Sequence, residues 1–335
     1  MNLAINGFGR IGRQALRIIQ EHHPDINVVL INDLNDGATL AHLFEWDSTY
    51  GHYDCGGACF RDGMLATKYG KILTTAEKDP STLPHKKLKV DVVLECTGVF
   101  EKKADCQKHI DAGAKKVILS APAKDEVDGT FVLGVNEKTY DPQKMHILSN
   151  ASCTTNCLAP VVKVLDENFG IIHGFMTTVH SYTNDQRLLD LPHKDWRRAR
   201  SAAENIIPTT TGAAKTVGKV IPHLAGKLDG LSVRVPNPTV SLTDFVCTVK
   251  KSTSVEEVNA TFQKASEGEL KGIMGFEERP LVSTDFRGDS RSSIVDAMST
   301  QVLDGTFIKV LAWYDNEWGY ACRLVEFAEY VGSKL

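Results

Sequence analysis

Three glycines, Gly7, Gly9 and Gly12, stand in G-x-G-x-x-G spacing within INGFGRIG, directly after the apolar run LAIN and opening a helical pattern from about Arg10 to Glu21. A strand that turns at once into a helix needs residues without a Cβ. The turn then leaves backbone amides and the positive helix end facing outward, where a pyrophosphate is stabilised. Three glycines in a tight turn also serve purely structural ends, so the pattern draws its meaning from the strand after the helix. That second apolar run, VVLIND, ends in Asp33, 21 positions after Gly12. A carboxylate there bonds both ribose hydroxyls and repels a 2′-phosphate. Strand, turn, helix, strand and acid in this order predict a dinucleotide site that takes NAD rather than NADP; the alternative for Asp33 is a solvated cap at a strand end.

The apolar runs VDVVLECTG, KKVILSAP and HILSN continue the series between helical patterns. Such alternation predicts an α/β, Rossmann-type, doubly wound parallel sheet. From about Gly170 the texture changes to longer β-like segments, IIHGFMTTVHSYT, LDGLSVRVP, VSLTDFVCTVKK and TFIKVLAWYDN, which read as an α+β domain with a mostly antiparallel sheet. At 335 residues the chain is longer than one hydrophobic core usually supports. The expected division is a nucleotide-binding domain over residues 1–150, completed by a C-terminal helix over 317–335, and a catalytic domain over 151–316. In that last helix Leu324, Phe327, Ala328 and Val331 share one face.

A formal charge of −4 excludes a general nucleic-acid or membrane-surface binder, which carries a basic excess. The one basic run, HKDWRRAR, is short, and small partners are expected. The opening residues run straight into a strand with no room for a signal peptide, and no apolar run approaches the ~18 residues of a membrane span, so the cytoplasm is the expected location. Eight cysteines without a C-x-x-C pair suggest reduced thiols.

Two of them, Cys153 and Cys157, stand four apart in SNASCTTNC. A zinc site needs about four ligands, and no second cluster has matching spacing; no metal is expected. The nucleophile reading fits the context. HILSN is a strand and TTNCLAPVVKVLDENFG a helix, which puts Cys153 at the junction, where a helix start stabilises a thiolate and offers amides to an oxyanion. Cys157, one turn deeper, reads as a small core residue. A nucleophilic thiolate also wants a base. Among 11 histidines, His180 in TTVHSYTNDQ ends an apolar strand before a polar loop.

Taken together, INGFGRIGR, SNASCTTNCLAP, HSYTNDQ, PTTTGAAK, RVP and WYDNEWGY closely resemble phosphorylating glyceraldehyde-3-phosphate dehydrogenase, in that family's order from residue 5 to residue 320. The resemblance implies oxidation of glyceraldehyde 3-phosphate with NAD and inorganic phosphate in a homotetramer. Cys153 would attack the aldehyde, His180 would serve as base, and phosphate would displace the resulting thioester. It also implies that Thr183, Asp185 and Arg234 line the substrate-phosphate side, with Arg198 shared. Ser152, Thr154, Thr211 and Gly212 would line the attacking-phosphate side; TTTG alone reads as a helix cap.

By the same resemblance, Arg10 and Ile11 join the pyrophosphate site, Ser120 lies near the nicotinamide ribose, and Asn316 holds the carboxamide. Leu191 and Pro192 match the pair that, with Asp33, excludes NADP. Lys78 departs from the arginine that many members carry near the adenine, and on its own reads as a solvated surface lysine. Erythrose-4-phosphate dehydrogenase shares most of these motifs. An aspartate-semialdehyde type of dehydrogenase is disfavoured by Asp33 and TTTG, and a noncatalytic thiol redox sensor by the intact His180 and Asn316.

Overall fold

The structure, a computed structural model, describes residues 1–335, which form two compact units. Met1–Phe131, Lys138–Ala151 and Ala321–Leu335 make the first; Val132–Glu137 and Ser152–Tyr320 make the second.

The first unit is built on a nine-stranded sheet in the order Gly129–Thr130, Ile147–Ser149, Lys116–Leu119, Val92–Glu95, Asn2–Asn6, Asn27–Asn32, Gly70–Thr75, Met64–Thr67 and Phe60–Arg61. Every pairing as far as Gly70–Thr75 is parallel. Leu3 to Ile5, Val92 to Leu94 and Val117 to Leu119 are buried at consecutive positions, as a sheet covered on both faces requires. The register pairs Thr75 with Asn32, Asn32 with Asn6, Asn6 with Glu95, Glu95 with Leu119 and Leu119 with Ser149. The carboxyl ends of these strands therefore stand in one row. From Asn2–Asn6 the chain winds first to one side and later to the other, which places the topological switch, where open α/β sheets bind ligands, beside Asn6.

The far edge departs from the parallel pattern. Phe60–Arg61 and Met64–Thr67 form an antiparallel hairpin in which Arg61 faces Met64. Its two-residue loop, Asp62–Gly63, has φ of +54° and +74°, the backbone that matches strand twist and that Asp-Gly readily adopts. The helix Trp318–Gly332 enters the first unit at Ala321; there Phe327 is buried 5.3 Å from Phe131, and Leu324, Ala328 and Val331 are buried with it.

The expectation of reduced thiols requires one correction, since Cys55 and Cys59 are joined by a disulfide. Gly56 and Gly57, at φ +71° and +127°, turn the chain back so that the two Cα atoms lie 5.5 Å apart, within disulfide reach. Cys153 and Cys157 are free.

The second unit carries a seven-stranded sheet in the order Ile207–Thr210, Leu228–Val235, Ile171–Ser181, Ser241–Val249, Phe307–Tyr314, Ser293–Leu303 and Met274–Glu277. Its neighbours are antiparallel except Ile171–Ser181 with Leu228–Val235 and Met274–Glu277 with Ser293–Leu303. Along Ser241–Val249 buried and half-buried residues alternate strictly, the mark of a sheet with one face on the core. Helix Cys153–Phe169 supplies much of that core through Cys157, Leu158, Val161, Val162 and Leu165.

Candidate active site

Asn150, Ala151 and Ser152 connect the strand Ile147–Ser149 to the helix Cys153–Phe169. Ala151 takes φ +55°, a left-handed conformation that a Cβ disfavours. Its amide donates to the Ser149 hydroxyl at 3.0 Å, which holds the turn. Ser152 caps the helix, its Oγ accepting from the Thr155 amide at 3.0 Å. Cys153 is thus the first helical residue, among backbone amides that have no partner within the helix.

His180 lies buried near the end of Ile171–Ser181, with Nε2 3.6 Å from the Cys153 sulfur. Its other ring nitrogen, Nδ1, is 2.7 Å from the Ser181 carbonyl oxygen. That contact is favourable only if Nδ1 carries the hydrogen, so this tautomer turns the Nε2 lone pair toward the thiol. The parallel register sets Arg234 opposite His180. Arg234 Nη1 approaches Nδ1 to 2.8 Å but donates to the same Ser181 carbonyl at 2.9 Å. Burial pushes the Cys153 thiol up, with the Arg234 charge opposing it; burial and Arg234 together bring His180 down to about 3. The resting pair is a neutral thiol facing a neutral imidazole. Burial therefore outweighs the thiolate stabilisation expected of a helix start.

Two charged groups flank this pair. Arg234 also donates to Thr183 Oγ1 at 3.5 Å, while its Nε is buried without a partner, a donor in want of an acceptor. Arg198 forms an ion pair with Asp185 and donates to Thr209 Oγ1 at 2.9 Å and to the Thr210 carbonyl at 3.3 Å. Burial raises the Asp185 carboxyl, but the charge and hydrogen bond of Arg198, with the charges of His193 and Arg234, together hold the group below its ordinary range. Thr183 thus stands with Arg234 and Asp185 with Arg198, beside the thiol–imidazole pair.

The hydroxyls of the other predicted set are already engaged. Ser152 Oγ serves as the helix cap, and Thr154 Oγ1 lies 2.8 Å from the Tyr314 hydroxyl. Thr211 Oγ1 accepts from the Ala213 amide at 3.2 Å, and Gly212 precedes the helix Ala213–Val220 with no side-chain cap. TTTG therefore leads into a helix whose start carries no side-chain cap, with Thr211 bonded to the first helical amide. Asn316 is buried, its Oδ1 accepting from Ser181 Oγ at 2.9 Å and Ser241 Oγ at 3.1 Å. Two hydroxyl donors on one oxygen fix the amide orientation and direct Nδ2 the other way. Leu191 and Pro192 are exposed.

Reasoning from sequence missed two supports of this arrangement. Tyr314 bridges Thr154 and Thr178, 2.9 Å from the latter's Oγ1, and stands edge-on to the His180 ring at 6.0 Å. It lies inside WYDNEWGY, but its place in an alternating strand reads as core. Ser241, which holds both Asn316 and the Ser181 amide, follows Val240 at φ +69°, a costly conformation for a β-branched residue. Nothing in the order of residues marks that turn.

In the first unit the glycine turn has the form the spacing predicts. A Cβ on Gly7, at φ +91°, would lie 2.6 Å from the Cys96–Thr97 backbone, and one on Gly12 would meet the Gly7 carbonyl oxygen at 2.2 Å. Both glycines are therefore required by packing. Gly9 has nothing within 4 Å of a Cβ position, and it begins the helix Arg10–His22 with no side-chain cap. An uncapped helix start beside open space fits the pyrophosphate of a dinucleotide. Asp33 accepts from the Phe8 amide at 2.8 Å on one oxygen and from Asn35 on the other, which orients its carboxylate beside the turn. Arg10 turns its side chain to Asp47 and to the Tyr50 ring, so its main chain rather than its charge faces the anion site. Ile11 is half-buried in the first helical turn, Ser120 follows Lys116–Leu119, and Lys78 is exposed in the loop after Gly70–Thr75.

Comparison with known proteins agrees with this geometry. Residues 1–103 match the family model of the glyceraldehyde 3-phosphate dehydrogenase NAD binding domain, and residues 152–316 that of the C-terminal domain. The chain is 56% identical over 334 residues to a glyceraldehyde-3-phosphate dehydrogenase of Geobacillus stearothermophilus, covering 100% of this chain and 99% of the relative. It is 55% identical to glyceraldehyde-3-phosphate dehydrogenase 2 of Streptomyces avermitilis and 54% identical to glyceraldehyde-3-phosphate dehydrogenase 1 of Bacillus subtilis, with the same coverage.

Proposed function

The chain belongs to the glyceraldehyde-3-phosphate dehydrogenase family, and on that premise we propose that it is a phosphorylating member, converting glyceraldehyde 3-phosphate, NAD and inorganic phosphate to 1,3-bisphosphoglycerate and NADH. The single observation that carries the mechanism is the Nε2 lone pair of His180 held 3.6 Å from the Cys153 sulfur by the Nδ1–H contact to Ser181.

Cys153 Sγ attacks the aldehyde carbon as its proton passes to His180 Nε2. That proton then moves to the new oxyanion, which sits against the helix-start amide of Cys153, giving a thiohemiacetal. NAD, when bound, supplies the hydride acceptor. His180 takes the hydroxyl proton as the carbon–hydrogen bond gives up its electron pair, and the carbon becomes a thioester on Cys153. The imidazolium faces Sγ, ready to stabilise the sulfur as it leaves when a phosphate oxygen attacks the thioester carbon. Arg234 and Thr183, with Asp185 orienting Arg198, hold the substrate's phosphate. Ser152, Thr154, Thr211 and Gly212 receive the attacking one. In the first unit Gly7, Gly9 and Gly12 with Arg10 and Ile11 receive the pyrophosphate, Asp33 the adenosine ribose, Lys78 the adenine side and Ser120 the nicotinamide ribose; Asn316 takes the carboxamide through Nδ2.

A homotetramer is part of the proposal. Phe175 and Leu231 are exposed on strands of the second unit at 65% and 45%, and Trp196 and Ile206, between strands Ile171–Ser181 and Ile207–Thr210, at 87% and 71%, large apolar side chains that a neighbouring copy would cover. Sedimentation should give about four times 36.8 kDa; a monomer would remove this part. The free Cys153 thiol supports a cytoplasmic setting even though Cys55 and Cys59 are bridged, and no helix is long and apolar enough to cross a membrane.

The deciding assay is NADH formation from glyceraldehyde 3-phosphate with and without inorganic phosphate, beside erythrose 4-phosphate. Fast triose turnover that stops without phosphate supports the proposal. Preference for the tetrose without phosphate dependence overturns it in favour of erythrose-4-phosphate dehydrogenase.

A further inference from the structure

Beneath the strand ends of the first unit lies a buried polar chain that the mechanism does not use. Glu95, the last residue of Val92–Glu95, is almost fully buried and receives four contacts. Its Oε2 accepts from Asn6 Nδ2 at 2.6 Å and lies 3.1 Å from His109 Nε2. Its Oε1 accepts from the Thr97 amide at 2.9 Å and from the Thr97 hydroxyl. Behind it, His109 Nδ1 is 2.9 Å from His85 Nε2. Both histidines have no solvent exposure.

Hydrogen-bonding roles in this chain run one way. A carboxylate that takes four donors requires the hydrogen of His109 on Nε2, which leaves Nδ1 bare. His85 must then donate from Nε2, and its own Nδ1 is left buried without a partner. On the other side Asn32 Nδ2 donates to Asn6 Oδ1 at 2.8 Å, and Asn32 Oδ1 accepts from Thr75 Oγ1 and the Glu77 amide at 2.8 and 2.9 Å. Four of its members precede a turn of the dinucleotide site. Asn6 leads into Gly7, Asn32 into Asp33, Glu77 into Lys78 and Glu95 into Thr97. The Thr97 backbone is also what a Cβ on Gly7 would strike.

We propose that His85 and His109 are positioning residues for the dinucleotide: through Glu95 they hold the Thr97–Gly98 turn against the glycine turn. The inference rests on the reading of the first unit as the NAD site. Removing His85 leaves the His109 Nδ1 lone pair buried and unpaired and frees the ring to turn, so Glu95 loses the donor that fixes it. The effect appears in cofactor affinity, because Glu95 lies below the turns and touches no reacting atom.

The test is NAD titration by protein fluorescence, together with steady-state kinetics, on wild type, His85→Phe, His85→Gln and His109→Gln. Expected is a roughly tenfold rise in the Kd and KM for NAD in His85→Phe, and a change within about twofold in His109→Gln, whose amide keeps a donor for Glu95 and an acceptor for His85, with kcat at saturating NAD within twofold. His85→Gln, which keeps a side-chain donor, should return to within about twofold of wild type. If His109→Gln does not fold, the two His85 variants decide. Wild-type affinity in folded His85→Phe overturns the inference while leaving the NAD site intact; a purely structural role would lower Tm and leave the KM for NAD unchanged. A wild-type chain that binds no NAD overturns both readings.

Discussion

The Cys153 sulfur and His180 Nε2 lie 3.6 Å apart across 27 residues of chain, and the hydrogen on the far ring nitrogen is committed to the Ser181 carbonyl. The thiol therefore faces a base rather than a second donor. Replacing it with a hydroxyl, which the same base ionises far less readily, should cost at least about 10⁴-fold in turnover. Cys153→Ser should still bind NAD within twofold of wild type, since Cys153 is absent from the glycine turn. Steady-state rates and an NAD titration check this, and retained turnover would remove Cys153 as nucleophile.

His180→Asn should slow hydride transfer about 10²- to 10⁴-fold with little change in cofactor affinity. A pH profile supplies a second check on the wild type. With His180 down at about 3, the base is already neutral through the neutral range, and activity is lost to its protonation only as pH falls through about 3. The burial-raised Cys153 thiol makes the acylation rate climb toward alkaline pH. Single-turnover rates should show no inflection near 6.5; an inflection there contradicts the burial argument.

Arg234→Leu removes the charge that lies beside the His180 ring and lowers its pKa. The acid limb of the pH profile should move upward from about 3, and the KM for glyceraldehyde 3-phosphate should rise tenfold or more through loss of a charged phosphate donor. An unmoved acid limb would show that Arg234 does not act on the imidazole.

Asp33→Asn should weaken NAD and admit NADP, because the repulsion of a 2′-phosphate disappears while an acceptor for the Phe8 amide remains. The ratio of kcat/KM for NAD to that for NADP should fall at least tenfold. A constant ratio would assign the discrimination to Leu191 and Pro192 instead.

His85 is brought down to about 4 by burial and by the neighbouring His109, against an ordinary value near 6.5. Between these values the unfolded chain carries a proton that the folded chain does not, so stability rises with pH across the window from about 4 to 6.5. The contribution is present in full above 6.5 and lost as pH falls. His85→Phe should reduce this slope by up to about 1.4 kcal/mol per pH unit, measured by denaturant unfolding at pH 5 and 6. An unchanged slope would mean that His85 is protonated in the folded protein.

Much of the first unit can be read directly from residue order because its signals are local. Gly12 is demanded by the Gly7 carbonyl a few residues away, whereas the partner of Gly7 is the distant Cys96–Thr97 backbone; the apolar strands show their burial as unbroken runs, and the Asp62–Gly63 hairpin goes unread because the alternation of strand and helix conceals it. Cys153 at a strand-to-helix junction belongs to the same class. The one bond between cysteines, Cys55 to Cys59, escaped because it depends on how far two glycines at positive φ turn the chain back, and composition carries no trace of that.

By itself, the sequence determined the glycine turn, the acid at Asp33, the junction that places Cys153 at a helix start and the family motifs that single out His180, Arg234 and Asn316. Those features arise from covalent order and short-range sterics. Only the tertiary structure decided the chemistry of the pair: parallel register set Arg234 against His180, the Ser181 carbonyl chose the tautomer, and burial made both thiol and imidazole neutral at rest. The same holds for Tyr314 between Thr154 and Thr178, and for the chain from His85 to Glu95, whose members come from distant segments. Hydrogen-bond direction and desolvation depend on which groups meet in space, and for residues far apart in the chain that is settled only when the sheets form.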